Sequence, residues 1–313
     1  MEIFRRPLTA GEIKAKAREL GADLVGIADG ARIDTSHITK LDGERVIVLA
    51  KRLNDGVARI KRWNDRHKYY NDELALTHLE ETSLELVYWL EDAGYPALIV
   101  PPTHIDPSQY KDRPEEHLSP MLSLPHAAVE AGLGTLGLNL QILTPEYGPR
   151  VILTAVLCSV PVECDQPMTE ALCLGPRCGR CLKVCPPDAV REWERDWPAC
   201  DTHRSPHGFA QLTQHLDTII NEPSAAGRKE LLRSETSFNL WQSILRGSGV
   251  ITGCRRCADV CPIGTDYEQM LASAHQEIPE NTPAKDQRLA AMSGSAGGYE
   301  KQKRFIGILK QVP

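Results

Sequence analysis

The sequence lacks any long apolar segment, including at its N-terminus. No run in the 313 residues approaches the roughly 18 consecutive apolar residues that indicate a membrane-spanning helix. The opening residues include Arg5 and Arg6, but no apolar region follows them, so neither a secretory nor a twin-arginine signal is expected. We therefore expect a cytoplasmic protein with no membrane partner.

An excess of positive charge is missing as well. The formal net charge is −6, whereas proteins that bind nucleic acid usually show a basic patch. A local basic patch is compatible with this total, but we do not expect nucleic acid as a partner. The apolar fraction of 42% and the charged fraction of 25% are ordinary for a globular protein.

Cysteine is absent from most of the chain. Of the ten cysteines, none occurs before Cys158 and none after Cys261. Disulfide frameworks belong to small secreted domains, and this chain is neither small nor visibly exported. The cysteines are therefore better interpreted as metal ligands.

Two short cysteine runs carry the main functional signal. They read Cys173-LGPR-Cys178-GR-Cys181-LKV-Cys185-Pro186 and Cys254-RR-Cys257-ADV-Cys261-Pro262. Two-cluster ferredoxins use a C-x2-C-x2-C-x3-C-P run whose fourth cysteine binds the other cluster. Cys200, between the runs, brings the number of available ligands to eight. We predict two [4Fe–4S] clusters, one held by Cys173, Cys178, Cys181 and Cys261, and the other by Cys185, Cys200, Cys254 and Cys257.

A zinc site is the main alternative for these cysteines. Two C-x2-C pairs can supply four thiolates to one zinc ion. Zinc does not account for the two C-x3-C-P endings or for the additional cysteines. Cys158 and Cys164 lie outside the runs, and we interpret them as buried apolar thiols, since free cysteine is often buried.

The apolar pattern of the first half predicts a mixed α/β layer architecture. Thr9 and Glu12 form a capping-box pattern that predicts a helix ending near Leu20. Further helices are predicted over 71–93, 208–221 and 226–246, and strands over 23–28, 45–50, 95–100 and 151–157. We divide the chain into an α/β domain at 1–165, a cysteine-bearing domain at 166–275 and a C-terminal tail at 276–313.

A glycine-rich run precedes the cysteines. Gly132, Gly134 and Gly137 match the dinucleotide-binding fingerprint as a string, but no strand precedes them and no acidic residue stands about 20 residues later. Two interpretations remain. The glycines either form a structural turn or allow a cofactor to approach the backbone closely.

The run AGLGTLGLNLQILTPEYGPRVILTAVL, followed by the double-cluster cysteines, resembles the cobalamin-dependent reductive dehalogenases and the epoxyqueuosine reductases. The opening LTAGEIKAKARELGADLVGIA resembles the start of the epoxyqueuosine reductases. The resemblance implies a nitroreductase-like α/β domain that binds a base-off corrinoid, beside a ferredoxin-like domain with two [4Fe–4S] clusters. By this resemblance the corrinoid would be lined by Gly132, Gly134, Gly137, Asn139, Thr144, Tyr147 and Gly148.

The sequence departs from this family at two functional positions. The stretch HLSPMLSLPHAAVE has no aspartate where epoxyqueuosine reductases typically carry a proton donor, and Leu138 stands where a Lys or Arg is common. Histidine and tyrosine can replace a proton donor near neutral pH. We rank His126 and Tyr110 first as catalytic candidates, because they lie closest to the glycine run, ahead of His104 and His117.

The sequence thus predicts a reductase of a small organic substrate that depends on iron–sulfur clusters and cobalamin. Electrons would come from a reduced ferredoxin or flavodoxin-type donor and pass through the clusters to cobalt. The alternative is a two-cluster electron-transfer protein, or a reductase that services corrinoids for other enzymes without turnover of its own.

Overall fold

The computed structural model describes residues 5–33, 45–58, 65–100, 122–246, 254–274, 278 and 280–292. The helices are α1 Ala10–Leu20, α2 Asp55–Ala58, α3 Asp65–Asp92, α4 Leu124–Glu130, α5 Arg180–Lys183, α6 Trp197–Arg204, α7 Phe209–Asn221, α8 Ala225–Leu232, α9 Glu235–Arg246, α10 Arg256–Asp259, α11 Tyr267–Ala274 and α12 Pro283–Ala291. The strands are β1 Leu24–Asp29, β2 Arg45–Arg52, β3 Ala97–Val100, β4 Thr135–Leu136, β5 Ile142–Leu143, β6 Val151–Cys158, β7 Val190–Arg191 and β8 Glu194–Arg195.

Helix α1 begins with the predicted capping box. The Thr9 amide donates to the Glu12 carboxylate at 2.8 Å, and the Glu12 amide donates to Thr9 Oγ1 at 3.2 Å. The helix stops at Gly21, whose φ of 122° suits glycine. Ile13 and Ala17, four residues apart on one face, are fully buried. The predicted first helix is therefore confirmed.

A four-stranded antiparallel sheet with the order β1-β2-β6-β3 forms the centre of the N-terminal part. Ile27, Ile47 and Val156 pack on one face with buried side chains of α1 and α3. Val48 and Leu157 pack on the other face with α4. Because helices cover both faces, β2 is buried at consecutive positions instead of alternating. The mixed helix and sheet architecture is confirmed, and its strands pair antiparallel.

Strands β4 and β5 form a small hairpin that contains the glycine run. The Gly137 amide donates to the Gln141 carbonyl at 2.8 Å, and the Leu140 amide donates to the Gly137 carbonyl at 2.8 Å. Leu140 takes a positive φ of 59° in this turn. Residues 144–150 connect the hairpin to β6, and the turn of the hairpin contacts the first cysteine run through the Leu138 amide and Cys173 Sγ.

The cysteine-bearing region has little regular structure around its ligands and only a small apolar cluster of its own. Leu182, Cys185, Ala189 and Val190 are its buried members. The helix predicted over 226–246 is two helices, α8 and α9, because Arg233 ends the first of them. Among the residues that the structure describes, no helix is long and apolar enough to cross a membrane.

The segment predicted as a tail contains a packed helix. Helix α12 starts with Thr282, whose side chain accepts from the Lys285 amide, and it contacts α5. Lys285 is only 4% exposed. The polar stretch that motivated the tail prediction lies from residue 293 onward, outside the described residues.

Candidate functional site

A small cavity of about 30 Å³, partly open to solvent, lies between the β4–β5 hairpin and the two cysteine runs. The hairpin contributes Leu138, Asn139 and Leu143 to its wall. Four cysteines line the same cavity: Cys173, Cys178, Cys181 and Cys261. These are the four that the sequence assigns to one cluster.

A second group of cysteines lies beside the first. Burial raises the pKa of Cys257; Arg195 opposes this rise, and the nearby thiols of Cys200 and Cys185 add to it. Cys254, half-buried, precedes Cys257 in the second run. Burial also raises the pKa of Cys181, and Cys257 is the thiol that adds most to this rise. The two groups are therefore neighbours.

Burial keeps these thiols protonated in the free chain. It raises the pKa of Cys261 to about 12 and that of Cys181 well above its ordinary value. A buried thiolate needs a compensating positive charge. An iron–sulfur cluster bound by four thiolates supplies that compensation, so the chemistry of the cysteines fits clusters.

Within the described part of the chain, no three His, Cys, Asp or Glu side chains are arranged to hold a single metal ion. The grouping of eight cysteines into two cluster sites stays a prediction.

Hydrogen-bond donors surround the sulfurs. The amides of Leu138 and Gly175 donate to Cys173 Sγ at 3.3 and 3.4 Å. The Ala189 amide donates to Cys185 Sγ at 3.2 Å, and Arg195 Nη2 lies 4.0 Å from Cys257 Sγ. Donors of this kind tune cluster potentials and orient the ligands. These donors are a second feature of the site that fits [4Fe–4S] clusters.

The space beside the glycines is occupied by the chain's own backbone. A Cβ at Gly134 would lie 1.9 Å from the Leu143 carbonyl oxygen, and one at Gly148 would lie 2.0 Å from the Ile263 carbonyl oxygen. At Gly132, where φ is +70°, a Cβ would lie 2.6 Å from the Gln166 carbonyl oxygen. Close packing of backbone on backbone accounts for these glycines. This geometry favours the structural-turn interpretation, and a role of the glycines in binding a corrinoid stays a prediction.

The other residues named for cofactor binding are tied into the same two turns. Asn139 is buried, and its side-chain amide donates to Gln141 Oε1 at 2.7 Å. Thr144 Oγ1 accepts from the Tyr147 amide at 3.1 Å and donates to the Gly148 carbonyl at 3.3 Å. Their role in binding a corrinoid stays a prediction.

Of the two catalytic candidates, the structure describes one. His126 is half-buried on α4, and its Nδ1 forms a hydrogen bond with Ser123 Oγ. Tyr110, like His104 and His117, lies outside the described residues. A catalytic role for either candidate stays a prediction.

The cysteine runs are joined to the sheet region by buried charges that the sequence analysis missed. Lys68 on α3 pairs with Asp259 on α10, and both side chains are 0% exposed. Arg255 pairs with Asp72 at 2.5 Å and with Asp259 at 3.0 Å. These charges lie on α3 and on the loop that carries Cys254 and Cys257, so they fix the second run against the N-terminal part.

Arg150 is a further residue that pattern analysis did not find. It is 1% exposed at the start of β6. Its Nη1 donates to the carbonyls of Ala258 and Cys261 at 2.8 and 2.9 Å, and the guanidinium lies 3.3 Å from the centre of the Tyr267 ring. A single arginine after Gly-Pro carries no periodic signal, so only the three-dimensional structure reveals this contact.

No protein-family model matches the chain. An epoxyqueuosine reductase of Listeria monocytogenes is 41% identical over 195 residues, which cover 58% of this chain and 43% of that protein. A tetrachloroethene reductive dehalogenase of Sulfurospirillum multivorans is 35% identical over 77 residues, 24% of this chain and 15% of that protein. The chain therefore spans less than half the length of these two relatives.

A solved epoxyqueuosine reductase with a modified tRNA stem loop superimposes with a TM-score of 0.44 and 17% identity, covering 90% of this chain and 88% of that one. That protein was solved together with nucleic acid. For this chain, the expectation that nucleic acid is not a partner stays a prediction.

Proposed function

We propose that the chain, which is similar to epoxyqueuosine reductases and reductive dehalogenases, is an iron–sulfur oxidoreductase. In this proposal two [4Fe–4S] clusters pass electrons one at a time to a substrate. The single observation that supports it most is the separation of the cysteines. Four of them line one cavity, while Cys185 and Cys200 lie close enough to Cys257 to raise the pKa of its thiol.

The protein's own residues give each cluster a defined environment. Cys181, Cys257 and Cys261 are half-buried, which limits the contact of their sulfurs with water. Backbone amides donate to Cys173 and Cys185. When bound, the clusters supply one-electron redox chemistry. Because Cys181 and Cys257 lie in adjacent groups, an electron has a short path from one cluster to the other.

The substrate is proposed to be an organic molecule that accepts single electrons. Relatives of this chain are named for the reduction of epoxyqueuosine, so a modified tRNA stem loop belongs in the substrate screen beside small organic molecules. We propose a reduced ferredoxin or flavodoxin-type protein as the electron donor. One solved reductive dehalogenase is described as B12-dependent, and we propose cobalamin as a further cofactor of this chain, to be tested by its retention.

A second candidate function is electron transfer without substrate turnover. The observation that favours it is the contact of Gly134 and Gly148 with the chain's own carbonyls. In that case the N-terminal part would serve as a platform for a protein partner rather than as a substrate site.

Metal analysis of anaerobically purified protein tests the proposal. After reconstitution with iron and sulfide in the presence of cobalamin, we expect about eight irons per chain. Retained cobalt, together with turnover, would support the reductase; eight irons without cobalt or turnover would favour the electron-transfer function. Fewer than two clusters would contradict both.

A matched pair of variants sharpens the test. Cys200→Ser removes a proposed ligand and should lower the iron content by about half. Cys164→Ser removes a half-buried thiol outside both groups and should leave the iron content unchanged. Equal iron loss in both variants would contradict the ligand assignment.

A further inference from the structure

The last cysteine of each run is held by a buried cation from outside the run. Each of these cysteines, Cys185 and Cys261, is followed by proline. The Cys185 carbonyl accepts from Lys285 Nζ at 2.7 Å, and the Cys261 carbonyl accepts from Arg150 Nη1 at 2.9 Å. The two cations come from opposite sides in the sequence, one from the sheet and one from α12. The two runs thus share one arrangement although different residue types supply it.

Arg150 fixes the end of the second run at three points. Besides the Cys261 carbonyl, it donates to the carbonyls of Ala258 and Ile263. Burial lowers the pKa of Arg150, but an arginine stays charged in proteins. Its positive charge is therefore permanent and lies beside a proposed cluster ligand.

Lys285 fixes the end of the first run in the same way. Its ammonium donates to the carbonyls of Lys183, Cys185 and Glu280 at 3.0, 2.7 and 2.7 Å. These bonds use all three of its donors. Among the described residues, neither Lys285 nor Arg150 forms an ion pair with a carboxylate. Asp188 and Glu280 still act electrostatically on Lys285, and Asp259 acts on Arg150, so each charge is partly compensated.

We propose that Arg150 and Lys285 are positioning residues that each serve one cluster and raise its reduction potential. Arg150 acts on the cluster that includes Cys261, and Lys285 acts on the cluster that includes Cys185. This inference rests on the proposed function. Reduction adds a negative charge to a cluster, and a nearby buried cation favours that charge more strongly than an exposed one because the local dielectric is lower.

A stepwise redox titration of the reconstituted protein, followed by electron paramagnetic resonance, separates the two effects. In Arg150→Met we expect one reduction step to become at least tenfold less favourable, which is about 59 mV for a one-electron couple. In Lys285→Met the other step should shift in the same direction. Each variant should leave the remaining step in place.

Two further variants separate charge from packing. Arg150→Lys keeps the positive charge and should retain most of the wild-type potential. Arg177→Met removes an exposed cation next to Cys178 and should shift either step far less, because water screens an exposed charge. If Arg150→Lys behaved like Arg150→Met, the electrostatic part of the inference would be overturned.

The iron content of each variant is measured as well, so that the titration can still be interpreted if a variant loses a cluster. Loss of about four of eight irons with the other step unchanged supports the pairing of one cation with one cluster. Loss of all iron, equal shifts in both steps, or no shift in either variant overturns it. A wild-type protein with fewer than two reduction steps contradicts the proposed function instead, so the two failures are distinguishable.

Discussion

The sheet region and the cysteine-bearing region are stabilised by different means. In the sheet region, Ile47 and Leu49 are fully buried among side chains from helices that cover the sheet. In the cysteine-bearing region the apolar cluster is small, and buried cations bind backbone carbonyls. We therefore expect the first region to fold more independently, and the second to depend on contacts from the first and, in our proposal, on bound clusters.

Iron removal gives the largest expected difference between the two regions. After chelation, we expect amide exchange protection to be lost over 173–185 and 254–261 and retained in β2 and β6. The reason is that metal binding and folding are coupled where ligands converge on a site. Hydrogen exchange before and after chelation measures it. If β2 and β6 lost protection as well, the two regions would form one cooperative unit and the comparison would fail.

Substitution at the junction between the regions should have the next largest effect. Lys68→Met leaves the buried Asp259 carboxylate with one cation fewer, and breaking a buried ion pair costs about 4 kcal/mol. Urea unfolding monitored by circular dichroism measures the loss. As a control, Lys16→Met removes a cation that pairs with the exposed Glu19, and this should cost less than about 1 kcal/mol. Equal effects would show that the junction charges do not stabilise the docking.

A core substitution tests the independence of the sheet. Leu49→Ala should lower the free energy of unfolding by about 3 kcal/mol, since it leaves a cavity among fully buried neighbours. Leu84→Ala removes the same side chain from a 40% exposed position on α3 and should cost less than about 1 kcal/mol. We expect both variants to bind iron like the wild type. Iron loss in Leu49→Ala would mean that the sheet core controls the cluster sites directly.

The smallest expected effect concerns pH. Burial raises the pKa of Asp72 to about 7; Arg255 and Lys68 oppose this rise, and Asp259 adds to it. Because the folded-state pKa lies above the ordinary value, the stabilising contribution of protonated Asp72 is complete at low pH and is lost as the pH rises through 7. Between pH 6 and 8 the wild type should lose about 1 kcal/mol relative to Asp72→Asn. Thermal unfolding across this range measures it, and parallel profiles for the two proteins would contradict the expectation.

The fold of the sheet region was largely predictable because its signals are local. The Thr9 capping box correctly predicts the start of α1. The apolar stretch at 45–50 predicts a strand, which in the structure extends two residues further. Strand direction was not predictable, because continuous burial of β2 is equally compatible with parallel and antiparallel pairing. The split between α8 and α9 was missed because neither proline nor glycine marks the break at Arg233.

The site was predictable only in part. Cysteine spacing grouped Cys173, Cys178, Cys181 and Cys261, which line one cavity. The roles of Arg150 and Lys285 were not predictable, because each acts on carbonyls about 100 residues away and leaves no periodic pattern. The glycine run was ambiguous in sequence, since close approach of a cofactor and close approach of the chain's own backbone both require glycine.

The position of Arg150 at the start of β6 also bears on the order of events during synthesis. Cys261 follows Arg150 by 111 residues, which a ribosome adds in about 5 to 20 seconds. All strands of the central sheet are complete by Cys158, so the sheet region is available as a preformed docking surface before the second run is made. From the synthesis of Cys181 until that of Cys261, the thiols of Cys173, Cys178 and Cys181 lack the fourth ligand that we propose for their cluster, and we expect the nascent chain to be most sensitive to oxidants then.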